Sequence, residues 1–441
     1  MKNNNIKKIA LICLIFTFKN MIYAQFNING QLIQRAEYRH GFGKLIEDTL
    51  SPAGFISQRF RLQSEYKTEK FQIFSSIQDI RTWGNTSQVK LSDGYLSLHE
   101  GWVNLQIDSL WSIKLGRQEL NYDDYRFLGN LDWAMQARSH DFALVKFNKN
   151  KHTLHFGGGF NQNSESLSGN VYTQPNQYKT AQMLWYNYKK DKLETSFLFW
   201  NNGLQYILYD STGKNIIDQD LRFTQTFAIP KLKYTISDKT IISGFAYMQT
   251  GKDIKNKEVK AYDVSLQVSQ VIAANKNKNT KAKLIVGAEL ISGTNSNNTT
   301  NSNNSFSPMY GTNHMHNGYM DYFFVGGRFD NSVGLNDMFV KLRYEKEKKW
   351  FCVIEGHSFS SNAGIYKNNA KQESNLGVEI DFSAGYVFNK DVSLQLGYSQ
   401  MFASNTLKDL QTRNPSNIQN WSYLMLIIRP NSDKKFIGLL N

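Results

Sequence analysis

The stretch Phe26-Asn27-Ile28-Asn29-Gly30-Gln31-Leu32-Ile33-Gln34-Arg35-Ala36-Glu37-Tyr38-Arg39 decides the fold. Phe26, Ile28, Leu32, Ala36 and Tyr38 share one parity, while Asn27, Asn29, Gln31, Arg35, Glu37 and Arg39 share the other. Successive side chains of a strand point to opposite faces, so this reads as a strand with one apolar and one wet face. The next segment repeats the pattern, with Ile56, Phe60, Leu62 and Tyr66 opposite Ser57, Arg59, Arg61, Gln63 and Glu65. Far downstream, Tyr262, Val264, Leu266 and Val268 oppose Asp263, Ser265, Gln267 and Ser269. Leu376, Val378, Ile380 and Phe382 likewise oppose Glu379, Asp381 and Ser383.

Segments of this kind, about ten residues each, number about eighteen, from 26–39, 56–66 and 70–82 through 335–345 to 418–429. The breaks between them alternate. Short ones such as Lys67–Lys70, Asp108-Ser109 and Lys190-Asp191 follow even strands; long ones follow strands one, three, five, seven, nine, thirteen, fifteen and seventeen. An outer-membrane barrel with a periplasmic N-terminus has short periplasmic turns and long extracellular loops, which gives this alternation. A soluble propeller would carry a blade repeat of about 40 residues, and none appears. The expected fold is all-β: a transmembrane antiparallel barrel of about eighteen strands, closed because hydrocarbon tolerates no open sheet edge. Tyr66, Phe71, Tyr188, Tyr344 and Trp350 flank the short turns, where an aromatic girdle belongs. No N-terminal plug domain is visible, so an open or loop-gated channel is expected.

Composition agrees. The 441 residues are 41% hydrophobic, and the one long apolar run, Ile9 to Phe18, is too short to cross a bilayer as a helix. With Lys2, Lys7 and Lys8 ahead of it and Ala24 after it, this run reads as a secretory signal over residues 1–24. The barrel then spans 25–430, followed by a tail over 431–441. Losing four lysines and no acid with the signal takes the formal charge from +14 to +10, so an anionic partner is the first to consider. Nucleic acid is not expected of an exported chain with no binding motif. Of the two cysteines, Cys13 lies in the signal, which leaves Cys352 with no disulfide partner.

Parity points Arg35, Arg39, Arg59 and Arg61 inward from neighbouring strands, and Lys283, Lys341 and Arg343 from later ones. Arg81, Arg117, Arg126 and Arg138 sit at strand ends or in the loop between strands five and six. Guanidinium groups grip carboxylates in bidentate fashion and stay charged at any relevant pH, so such a ladder would pass a polyanion stepwise. The competing reading is a solvated wall in which these arginines pair with Glu37, Glu65, Asp79 or Glu100. In the long loop 293–334, Gly293–Ser305 is a polar tract expected to be mobile. Phe306–Asp330 carries Tyr310, His314, Tyr319 and Asp321 among other aromatics, and is expected to fold into the mouth as a constriction or lid. His314 and His316 beside Asp321 are too weak a pattern to assign a metal, and no cofactor is expected. His357 and Ser358 are adjacent on a strand, hence on opposite faces, and cannot pair as base and nucleophile. A barrel enzyme or an adhesin is thus less expected than a channel.

Several stretches resemble the alginate export family of outer-membrane barrels, in its Bacteroidetes-type form. They are Gly116-Arg117-Gln118-Glu119-Leu120 with Arg126, Gly129, Asp132-Trp133, Gln136, Arg138 and Asp141; Tyr247–Asp253; and Met309–His314 with Asn317–Asp321 and Gly334–Asp337. Gly397-Tyr398-Ser399 and Trp421–Met425 complete the series. The resemblance implies an eighteen-stranded barrel with an electropositive pore and passive transfer of an anionic, alginate-like polysaccharide or oligosaccharide. It places pore cations at Arg117, Arg126 and Arg138. A general or small-anion porin is the alternative. The expected surroundings are outer-membrane lipid of a Gram-negative bacterium and an anionic solute, with room for periplasmic export components.

Overall fold

The computed structural model describes residues 25–90, 92–209, 215–324, 332–347, 349–411, 414–430 and 432–438; the expected signal, with Cys13, lies outside them. Eighteen long strands follow in order: β1 (Gln25–His40), β2 (Ala53–Lys67), β3 (Phe71–Thr82), β4 (Leu96–Gln106), β5 (Trp111–Gln118), β6 (His140–Lys149), β7 (His152–Phe160), β8 (Thr180–Lys190) and β9 (Leu193–Tyr209); then β10 (Asn215–Ser237), β11 (Thr240–Lys252), β12 (Glu258–Asn275), β13 (Thr280–Ile291), β14 (Leu335–Lys346), β15 (Trp350–Ser360), β16 (Asn375–Val387), β17 (Val392–Ala403) and β18 (Asn420–Ile428). Each pairs antiparallel with its neighbours in sequence. The sheet closes where β1 meets β18, with Leu32 opposite Ile428 and His40 opposite Asn420.

Local chemistry explains the short turns. Asn150, Asp191 and Asn279 take positive φ there, a conformation that Asn and Asp tolerate better than other side-chain-bearing residues. Asp108 accepts from the backbone N–H groups of Leu110 and Trp111, closing its own turn. Across the first turn Tyr66 packs on Phe71, and across a later one Tyr344 packs on Trp350. Pro230, which has no N–H, interrupts β10, and the register shifts past Ala228 against both β9 and β11.

The apolar parity faces outward, where Phe26, Ile28, Leu62, Leu266, Val286, Val340 and Ile380 are exposed. Of the two expected forms, open or loop-gated, the lumen has the loop-filled one. Ile33, Phe142, Trp200, Tyr247, Phe359, Trp421 and Tyr423 face inward and are buried against two loops that enter the barrel. The first loop, 119–139, follows β5, and the second follows β13. The polar tract at the start of the second is anchored by its side chains. Thr294 and Ser305 are buried and bonded to each other, and Ser302-Asn303 pairs with Glu258-Val259 at the start of β12. Hydroxyl and amide groups do there what apolar anchors do elsewhere.

Candidate functional site

The two loops clasp each other inside the barrel. Gly129 N–H donates to Tyr310 O, and Thr312 N–H to Tyr125 O, at 2.9 and 2.8 Å. Leu131 N–H donates to Thr312 Oγ at 3.0 Å. Leu131 and Ala137 hold positive φ, a strained state that costs about 1–2 kcal/mol per residue and needs such anchors. The second loop docks on inward carboxylates of β13 to β16. Asn317 Nδ2 donates to Glu289, Tyr319 OH to Glu355 and Met320 N–H to Glu379, each at 2.8 Å. Gly318 has φ +81°, and a Cβ there would lie 2.5 Å from a Glu379 oxygen, so the turn needs glycine.

Segment 131–135 of the first loop divides two cavities. The larger, about 730 Å³, opens toward the long loops, with Leu131, Trp133, Ala134 and Met135 as its floor. Arg35, Arg39, Arg81 and Arg138 border it, as do Glu37 and Asp321. The smaller, about 270 Å³, lies toward the short turns and is lined by Arg61, Arg429, Lys434, Asp132 and Glu119. Arg59 sits between them, wholly buried behind the dividing segment.

The inward arginines lie where parity placed them, and most are neutralised. Arg35 binds Glu37 at 2.8 Å and lies over the Trp133 ring at 4.2 Å. Arg39 takes the other oxygen of Glu37, and Arg81 is held by Asp79 and Asp93. Arg59 binds Asp132 at 2.6 Å, and Arg429 binds the same carboxylate at 2.7 Å. Although burial opposes its charge, these two cations hold the Asp132 carboxyl well below the usual carboxylate range. Arg61 instead donates to the Gln78 amide oxygen at 3.1 and 2.6 Å. Arg138 donates to the Gly311 carbonyl at 2.9 Å, and burial brings its guanidinium down to about 10, so it remains charged at neutral pH.

Four of the expected pore cations need correction. Arg117 points away from the lumen: its cross-strand partner Asp141 lies between inward His140 and Phe142, and the two form an exposed ion pair. Arg126 is inward but wholly buried, held by Asp263 at 3.0 Å, Glu289 at 2.7 Å and Asn317 at 2.9 Å. Burial opposes its charge, yet Glu289 and Asp263 raise its pKa above the ordinary value, which makes it a clasp between loop and wall. Lys341 and Arg343 are paired with Glu355 and Glu345, and neither lines the two cavities.

The second loop's aromatics pack on inward rings of the barrel and the first loop. Tyr310 donates to Asn202 at 2.8 Å, and His314 bonds Asp321 at 2.7 Å while stacking on Trp133 at 4.2 Å. Ser358 is exposed, whereas His357 is buried against Asp337, so the pair is split between faces. Alternation gave no hint of one cluster. A bulge opposite Ser76-Ile77 turns both His99 and Glu100 toward Glu119, with His99 Nε2 2.9 Å from Glu119. Trp102, Asn121 and Asn130 also donate to these carboxylates.

Comparison with known proteins agrees with this architecture. OccAB4 of Acinetobacter baumannii superposes with a TM-score of 0.58 at 12% identity, covering 93% of this chain and 99% of its own. The outer membrane protein opdK from Pseudomonas aeruginosa gives 0.57 at 12% identity, with 91% and 98% covered. Pseudomonas aeruginosa OccD3 gives 0.57 at 13%, with 91% of each chain covered. At such identities the likeness is one of fold. No curated protein matches the chain. The model of the alginate export family matches residues 25–419. An outer-membrane barrel channel of a Gram-negative bacterium, this chain belongs to the alginate export family.

Proposed function

We propose that the barrel passively conducts an anionic, alginate-like saccharide along its β1–β2 wall, from one cavity to the other. The observation that carries this reading is where positive charge is left over. Among the described arginines, Arg61 and Arg138 alone have no carboxylate within 4.0 Å. They lie on opposite sides of segment 131–135, Arg138 in the larger cavity and Arg61 in the smaller. A guanidinium without an acidic partner fits a carboxylate in bidentate fashion. Arg35, Arg39 and Arg81 shape the mouth through their pairs, and Tyr310, His314, Tyr319 and Asp321 set its calibre as a gating loop. The test is reversal potential across a salt gradient in planar bilayers. The wild type is expected to prefer anions and to be blocked by polyuronate. Arg61→Gln with Arg138→Gln should lower that preference by about thirtyfold, the weight of about 1 kcal/mol for each of the two charges near a wet wall. A cation-preferring wild type would sink the proposal.

The packed dividing segment favours a second reading, a small-anion channel. In that case glucuronate passes while polyuronate only blocks the mouth.

A further inference from the structure

The residues after β18 do not trail away from the barrel. Arg429 N–H donates to Asp391 O, and the chain then turns back into the lumen. Ser393 Oγ donates to Lys435 O at 2.5 Å. The Gln395 amide pairs with the backbone of Ile437 on both sides, accepting from its N–H at 3.0 Å and donating to its carbonyl at 2.9 Å. In effect the side chain is a one-residue strand edge. The Phe436 ring packs on Phe351 at 4.6 Å in the space left by Gly385, where a Cβ would lie 2.4 Å from that ring. Ile437 is buried in the aromatic core. Gly438, at φ +74°, lies against Trp133, leaving no room for a Cβ. Ser432 and Lys434 meanwhile complete the small cavity around Arg61, and Lys434 is exposed and makes no ion pair among the described residues.

We infer that segment 432–438 is a working wall of the conduit: it encloses an anion site on the short-turn side, made by Arg61 and Lys434, for the carboxylate of a single sugar unit, and it braces Trp133 from below. This rests on the anion-conduit reading above. A cavity of about 270 Å³ falls just below the usual range of ligand pockets, about 300–1,000 Å³, which suits one sugar unit and not a polymer turn. The charge there is not spent internally. Asp132 is already shared by Arg59 and Arg429, and the cavity's other carboxylate, Glu119, is held by His99, Asn121 and Asn130, so Arg61 and Lys434 are left for the solute.

Bilayer recordings with glucuronate added to one side at a time test this in the full-length barrel. Lys434→Gln and Arg61→Gln should each weaken block from the short-turn side by about fivefold, and leave block from the long-loop side nearly unchanged. Ile437→Asp, which expels the segment, should raise conductance and abolish the difference between sides. Truncation after Asn431 should do the same; if the truncated chain does not assemble, the full-length variants carry the test. An anion-selective wild type whose conductance and sidedness ignore Lys434→Gln and Ile437→Asp overturns the inference alone. A wild type without anion preference overturns it together with the conduit reading.

Discussion

Arg126 and Arg61 are both inward and both buried, yet their partners give them opposite work. Arg126 answers two carboxylates, Asp263 and Glu289, with no contact to solvent. Removing one side of such a network leaves uncompensated charge and costs about 3–5 kcal/mol. Arg126→Met should therefore lower the melting temperature of the detergent-folded barrel, and should enlarge and destabilise its conductance as the loops loosen. Arg61→Gln orphans no carboxylate, so its melting temperature should match the wild type while its selectivity changes. A cooler-melting Arg61→Gln or an unaffected Arg126→Met would reverse the two assignments. Parity was enough to point Arg35, Arg59 and Arg61 inward, because side-chain direction is a local property of a strand. Which cation meets which acid is not local: Arg59 and Asp132, or Arg126 and Glu289, are far apart in the chain, and alternation says nothing about them.

Among the elements, the strands were legible nearly to their ends, since a two-residue period persists through each and Asn or Asp marks many short turns. The second loop was legible as a constriction because Tyr310, Tyr319, Met320 and Phe324 could not all stay in water. The first loop was not. Its apolar residues, Leu120, Phe127, Leu128 and Trp133, are spaced among charges, and they find cover only on inward aromatics of strands distant in sequence. The docked loops also have a pH dependence. Burial, with Arg126, Lys341 and Lys231 nearby, holds the His316 pKa well below its ordinary 6.5, against a weaker pull from the Asp124 backbone. Its Nε2 is buried without a hydrogen-bond partner among the described residues. Undocked, His316 would titrate normally. The stability it lends to docking is thus full above about pH 6.5 and falls as pH drops, by up to about 2 kcal/mol at pH 5. Asp132 works in the same sense, but its contribution is lost only below the ordinary carboxylate range, outside this window. Open probability should rise between pH 7.5 and pH 5, and His316→Gln should flatten that rise. A flat wild-type profile would show that the loops stay docked regardless of His316.

Across the whole barrel, charge is sorted by sector. Asp263, Glu289, Asp337, Glu355, Glu379 and Asp381 line β12 to β16 and are buried. They are occupied by Arg126, Lys341, His357 and the second loop. The sector from β1 to β3, with Arg138, Arg429 and Lys434, holds the cations that border the two cavities. Total charge therefore says little about the pore: the acids of β12 to β16 hold the constriction, and the cavities are bordered by the basic sector together with Glu37, Asp321, Glu119 and Asp132. The outward apolar face works at the same scale, since closure lets a chain this polar sit in lipid with every strand edge paired. The sorted charge predicts how selectivity responds to salt. The screening length is about 10 Å at 0.1 M and about 3 Å at 1 M, and cations that border a cavity open to salt are screened more than pairs buried away from it. Anion preference should be marked near 0.1 M and largely lost near 1 M, while loop docking, read as single-channel noise, should change little. A preference that persists at 1 M would mean that selection comes from direct coordination at Arg61 and Arg138, not from the field of the basic sector.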